Sequence, residues 1–415
     1  MSNDQIRRIV KSIIWYLFLF GCGSVLAATS DASSSNEIRY QIHFCQTKTP
    51  ISNIEEAIRC DYDSPYHPLA LGFGESPRWV RIQIESSNQN SQLFAIQVRP
   101  YFLRSIQFYS QSAKGWTIDK AGSQITKDQS HSDIGGYFFI TKPSQTKLNT
   151  YYLQVKASSI SRISVAVIPW PNATLQPSGH LMGIGAQIGI LATILVFSLV
   201  SLLLSPTLAM GVFNLYIANL ILCILSGSGI LALYVFTQMP VFNELLFFSG
   251  LCLKLGLWVW LAQCFLREYK TPVWYKASCW SIYSLVALSI LLGIAGKIDI
   301  AVLIILIGYT ATSITQILAT IKTPSAGKLL RTALISGFSL SIALIYLAVA
   351  SAFFPLEANS SVPLYLTRMT DFVNPLIMLS IIVLQNPIFI LIPNCMKTRC
   401  PKLFFLLYAS LLFAQ

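Results

Sequence analysis

From Leu181 onward the chain is a series of apolar runs, each long enough to cross the roughly 30 Å hydrocarbon core of a bilayer as a helix. The runs lie at 181–204, 208–236, 242–266, 278–296, 299–321, 330–354 and 372–392. Seven spans is the expected count, with six or eight as the alternatives. The second run is overlong and contains Gly227-Ser228-Gly229, so a kink or a bend at the surface is expected there. The whole chain is 54% hydrophobic and only 11% charged, and a water-soluble domain of 415 residues would carry far more charge.

That deficit is uneven. Residues up to 180 have an ordinary globular composition, so two domains are expected before any motif is considered. Residues 36–170 alternate with period two in several short stretches. In Arg78–Glu85, Val80, Ile82 and Ile84 share one face while Trp79, Arg81 and Gln83 share the other. Phe94, Ile96 and Val98 alternate, as do Ile106 and Phe108, then Tyr151, Leu153 and Val155, then Ile163, Val165 and Val167. Polar turns such as Ser86–Asn90 and Lys114-Gly115 separate them. The expected architecture is an all-β extracytoplasmic sandwich, jelly-roll-like, followed by a seven-helix all-α transmembrane bundle. Residues 171–180, which begin after Pro169-Trp170, read as a linker.

The N-terminus reads as a signal peptide over 1–27. Arg7, Arg8 and Lys11 precede an apolar run, and Val25 and Ala27 fit the small-residue cleavage rule; an uncleaved anchor is the alternative. With the β domain outside, the cytoplasmic side holds Arg267, Lys270, Lys276, Lys322, Lys328, Arg331, Lys397, Arg399 and Lys402, against Lys297 and Arg368 outside. Nine against two is a strong positive-inside bias, and an odd number of spans puts the tail, 393–415, in the cytoplasm. The formal charge of +12 therefore sets orientation, and nucleic acid is not expected as a partner.

Cys45 and Cys60 are the one pair in the exported segment and form the disulfide candidate. Catalytic chemistry is thin. The histidines, at 43, 67, 131 and 180, show no metal-ligand spacing, and no phosphate loop or nucleophile elbow is present. No cofactor, metal or catalytic residue is expected. In the outer domain Trp79, Tyr101, Trp116 and Tyr152 offer faces for sugar rings, with Arg81 beside Trp79 to stack on it or to bind an anion; filling the core is the competing role for these rings. Within the membrane, Lys254 stands near the middle of the third span, where a charge costs about 2.5–3.5 kcal/mol. It is expected to face the bundle as a ligand counter-ion, as a switch paired with a carboxylate, or in a polar pocket with Asn214, Asn219 or Gln263; the candidate carboxylates, Glu244 and Asp371, lie too near the outer surface for an easy contact. A retinal lysine is missing from 372–392, and Asn374-Pro375 reads as a local kink.

Three stretches carry a family resemblance. Leu71-Gly72-Phe73-Gly74-Glu75-Ser76-Pro77-Arg78-Trp79-Val80-Arg81 is similar to a motif of the type-two extracellular domain of bacterial seven-transmembrane receptors with diverse intracellular signalling modules. Phe213–Tyr216 with Ser228–Tyr234 resembles the second membrane helix of that family, and Phe265–Pro272 resembles the basic turn after its third. The resemblance spans about residues 36–392 and implies a sensor in a bacterial inner (cytoplasmic) membrane, with a carbohydrate-binding-like outer domain taking a small molecule or glycan. The 23 residues after Ile392 are too few for an output domain, so either a separate cytoplasmic signalling partner or a shortened gene copy is expected. The competing expectations are a membrane enzyme or transporter for envelope sugars or lipids, and a surface-anchoring or assembly protein.

Overall fold

The computed structural model describes residues 40–45, 51, 53–62, 64–65, 69–70, 77–85, 93–101, 103–112, 115–123, 125, 132–133, 136–142, 148–157, 162–170, 177–267, 269, 271–323, 328–353 and seven positions between 371 and 382. The expected signal peptide, the Leu71–Ser76 half of the Trp-x-Arg motif, most of the 372–392 span and the tail lie outside the described residues.

The N-terminal third is built of strands. They are β1 (Tyr40–Phe44), β2 (Ser64–Pro65), β3 (Leu69–Ala70), β4 (Arg78–Glu85), β5 (Phe94–Arg99), β6 (Leu103–Ser112), β7 (Gly115–Ala121), β8 (Ser132–Asp133), β9 (Gly136–Thr141), β10 (Leu148–Ala157) and β11 (Arg162–Pro169). A short helix, α1 (Ile54–Ile58), sits between β1 and β2. The strands form a six-stranded sheet in the order β2-β1-β4-β10-β6-β7 and a five-stranded sheet in the order β3-β11-β5-β9-β8, with antiparallel pairing in both. Because side chains alternate across a strand, each strand turns one set of residues to the partner sheet. Ile42, Val80, Ile82, Ile84, Ile106, Phe108, Leu153 and Val155 from one sheet meet Phe94, Ile96, Val98, Phe139, Ile163, Val165 and Val167 from the other, all buried in one cluster. The period-two reading of β4, β5, β6, β10 and β11 therefore describes the core faces correctly.

The opposite face of the six-stranded sheet is covered at one end. Cys45 and Cys60 are joined by a disulfide with their Cα atoms 5.6 Å apart, closing a loop over a sequence separation of 15. That loop folds back on the sheet. Cys45, Ile51, Ala57 and Tyr62 pack on Trp79, Tyr109 and Tyr152 in a second, smaller core.

The C-terminal part is helical: α2 (Pro177–Leu204), α3 (Leu208–Gly227), α4 (Ile230–Tyr234), α5 (Pro240–Leu266), α6 (Val273–Ile294), α7 (Ile298–Ile321) and α8 (Lys328–Phe353). Among the described residues five helices are long and apolar enough to cross a membrane: Met182–Leu204, Leu208–Gly227, Val241–Leu266, Val273–Ile294 and Ile298–Ile321. The second expected run, 208–236, is two elements. α3 stops at Gly227, Gly229 takes a left-handed backbone with φ +82°, and the five-residue α4 starts anew. Glycine adopts that conformation without a Cβ penalty, so the break has a local cause that hydropathy does not register. Helix α2 begins at Pro177, inside the expected linker; proline suits a first helical position because its missing N–H would have no partner there.

The disulfide should be worth about 3 kcal/mol to the β domain, the chain-entropy value for a ring of roughly 15 residues. Exchanging both Cys45 and Cys60 for serine should lower the thermal midpoint of the full-length protein and red-shift the emission of Trp79. Equal midpoints for the two proteins would contradict this.

Candidate functional site

Strand register assembles a row of side chains across the outer face of the six-stranded sheet. His43 is opposite Arg81, Arg81 opposite Tyr152, and Tyr152 opposite Tyr109. The Arg81 guanidinium lies over the Tyr62 ring, 4.4 Å from its centroid, a cation–π contact. Tyr152 is flanked by Tyr62 at 6.2 Å and by the Trp116 ring edge-on at 5.6 Å. Nε of Arg81 and the Tyr62 hydroxyl are buried without a hydrogen-bond partner among the described residues, and the His43 ring interacts with the Tyr62 backbone. Burial first, and the Arg81 charge second, hold the pKa of His43 below its ordinary 6.5. The imidazole is therefore neutral at neutral pH. Burial raises the Tyr62 hydroxyl further above its ordinary value, with Tyr152 adding to the effect.

The five outer-domain candidates separate. Arg81, Trp116 and Tyr152 come together on this face. Trp79 shares the face but is only 2% exposed: its Nε1–H donates to the Ile51 carbonyl at 2.9 Å and its ring tilts against Tyr109 at 5.1 Å, beneath the disulfide-closed loop. Tyr101 lies in a different place altogether. Two members of the cluster were not singled out from sequence. His43 is on β1, whose five residues are too few to stand out, and Tyr62 is in irregular chain whose position depends on the disulfide.

Tyr101 stands where the sandwich meets the helices. Its ring stacks on Tyr137 at 5.2 Å, the Tyr137 hydroxyl donates to the Tyr101 carbonyl at 2.6 Å, and burial pushes the Tyr101 hydroxyl up to about 12. Gly229 lies against this ring so closely that a Cβ there would come within 2.5 Å of it. Just beyond, Ala232 and Leu233 of α4 are each 4% exposed and belong to the same buried cluster as Tyr101, Leu103 and Tyr137. The sandwich core thus continues into the turn between α3 and α5. Beside it the Ser123 hydroxyl donates to Glu244 Oε2 at 3.4 Å, while Glu244 Oε1 is buried with no partner among the described residues.

Within the bundle, Lys254 of α5 is ion-paired with Asp371. The expectation that Asp371 lies too far out is overturned. A four-carbon stem lets the ammonium leave the level of its own Cα, so depth counted along the sequence misjudges the gap. Tyr216 and Tyr309 are further groups whose electrostatics the lysine feels. The expected polar neighbours are engaged elsewhere. Asn214 is hydrogen-bonded to Ser198, Asn219 Nδ2 donates to the Gly250 carbonyl at 2.9 Å, and Gln263 Oε1 accepts from Tyr283 at 3.0 Å. Each bond links two helices, in keeping with polar side chains joining helices within a membrane. No group of three potential metal ligands occurs among the described residues.

Residues 48–168 match the family model described as 7TMR-DISM extracellular 2. The matched stretch starts within the loop closed by the Cys45–Cys60 disulfide and runs almost to the end of β11, so it contains Tyr62, Arg81, Trp116, Tyr152 and Tyr101, while His43 precedes it. No curated protein matches the chain.

Removing one member of a buried ion pair leaves the other charge unpaired, which typically costs about 3–5 kcal/mol. Lys254→Met and Asp371→Asn should each lower the thermal midpoint in nanodiscs steeply, and the double variant should recover most of the loss. Additive losses in the double variant would show that the two side chains do not act as a pair.

Proposed function

We propose, from the premise that residues 48–168 form an extracellular domain of the 7TMR-DISM type-two family, that this protein is a membrane sensor. It has an N-terminal extracellular domain followed by several membrane-spanning helices, the arrangement of a receptor rather than of an enzyme. In this reading a carbohydrate-like ligand binds the outer face of the sandwich. The signal crosses at the α4 turn into α3 and α5, and the basic turns around Arg267, Lys276 and Lys322 pass it to a separate cytoplasmic protein. Seven spans, with the C-terminus inside, complete the proposed topology in a bacterial inner membrane.

The observation that carries this reading is the burial of Ala232 and Leu233 in the sandwich core. A domain merely tethered to a membrane needs no such shared core, because a flexible linker suffices. A domain whose core includes the turn between two membrane helices cannot repack without moving those helices, since close-packed interiors transmit displacement. Transport of an envelope sugar or lipid is the second reading, favoured by the Lys254–Asp371 pair, because ionised groups at membrane depth often mark a substrate path.

Capture of the full-length protein from cross-linked native membranes separates the two. The sensor reading predicts recovery of a kinase, cyclase or phosphatase, lost when Lys276 and Lys322 are both changed to glutamate. Recovery of envelope-synthesis enzymes, or capture insensitive to those charges, would contradict it.

A further inference from the structure

We infer that the outer face of the six-stranded sheet binds a carboxylate-bearing saccharide, with the ring on a row of amides and the carboxylate on Arg81. This rests on the sensor reading and names the class of its ligand.

The parity that sends Val80, Ile82 and Ile84 inward sends Arg81 and Gln83 outward. Register then lays a second row beside the His43–Arg81–Tyr152 row: Gln41 opposite Gln83, and Gln83 opposite Thr150. Gln111 is opposite Trp116 at the far side of the same face. Gln41 and Gln111 are exposed, and Gln83, Thr150 and Trp116 are half-buried. This part of the face is thus open where the disulfide-closed loop does not reach. Each glutamine amide both donates and accepts, which suits adjacent ring hydroxyls, and Trp116 supplies an apolar surface for C–H groups.

Charge selects among sugars. Arg81 is beside the amide row, and Lys120 projects outward on β7, opposite Gln107. The rows through Gln83, Arg81 and Trp79 on β1, β4, β10 and β6 contain no aspartate or glutamate; Glu85, at the end of β4, is the closest on these strands. Arg81, over the Tyr62 ring, has an Nε–H without an acceptor, and the Tyr62 hydroxyl also lacks a partner among the described residues. Buried polar groups left without partners cost about 1–3 kcal/mol each. One planar carboxylate offers two oxygens to the guanidinium fork and can also accept from the tyrosine hydroxyl. A neutral sugar hydroxyl meets one of these needs and leaves the charge unanswered.

The test is calorimetric titration of the full-length protein in nanodiscs with tetragalacturonate and with the neutral tetragalactoside. The acidic sugar should bind about tenfold or more tightly than the neutral one, the range expected of a charge-assisted bidentate contact. Arg81→Gln should abolish that preference, and Arg81→Lys should restore only part of it. Trp116→Ala should weaken both sugars. Equal affinity of the wild type for both, or a preference that survives Arg81→Gln, would overturn the acidic assignment and leave a sugar-binding sensor standing. Binding of neither would overturn the saccharide altogether, while capture of a signalling partner would still decide the sensor reading.

Discussion

Two residues of a five-residue helix join the aqueous and apolar halves of this molecule. Ala232 and Leu233 complete the core of a β-sandwich although they belong to the turn between two membrane helices. A helix this short does not hold together by itself, because nucleation costs more than one turn of hydrogen bonds returns. Its structure is supplied by the sandwich. Gly229 makes the approach feasible: its positive φ turns the chain out of α3, and its missing Cβ leaves room for the Tyr101 ring. Tyr137 stacks on that ring from within the sandwich, so the contact is braced from both sides.

The helices that receive this contact are joined by specific polar links. Ser226 and Asn243 exchange hydrogen bonds between α3 and α5 directly below the turn, with Ser226 Oγ 2.9 Å from Asn243 Oδ1 and Asn243 Nδ2 3.1 Å from the Ser226 carbonyl. Lower down, Trp258 Nε1–H donates to Gln316 Oε1 at 3.1 Å, linking α5 to α7, and Lys254 pairs with Asp371. Helix α5 thus touches the sandwich at one end, through Glu244, and carries polar links along its length. In an apolar solvent such links have discrete alternatives rather than graded ones, which is what a two-state relay requires.

How much of this was legible in the sequence follows from which forces act locally. The inward faces of β4, β5, β6, β10 and β11 were readable because strand pleating writes burial into alternate residues. The apolar helices were readable because lipid demands continuous hydrophobic length. The cover over Trp79 was not: it comes from a loop with one short helix, held by one covalent bond, and alternation alone places Trp79 and Arg81 on the same open face. The break at Gly229 was visible as a Gly-Ser-Gly triplet, but not as the docking point of another domain, since the partner ring is 128 positions earlier and α4 is as apolar as the helix it follows. The Lys254–Asp371 pair, 117 residues apart, depends on packing among helices that hydropathy treats as equivalent.

If the sandwich and the bundle share one core, the backbone of α4 is stabilised by the sandwich and not by its own turn. Hydrogen exchange on the full-length protein in nanodiscs tests this directly. The amides of Leu233, Val235 and Phe236, each bonded within the turn, should exchange as slowly as those of β4 and β10. Fast exchange at these three amides, with β4 and β10 still protected, would mean that the domain only rests on the membrane helices, and the coupled account would be wrong.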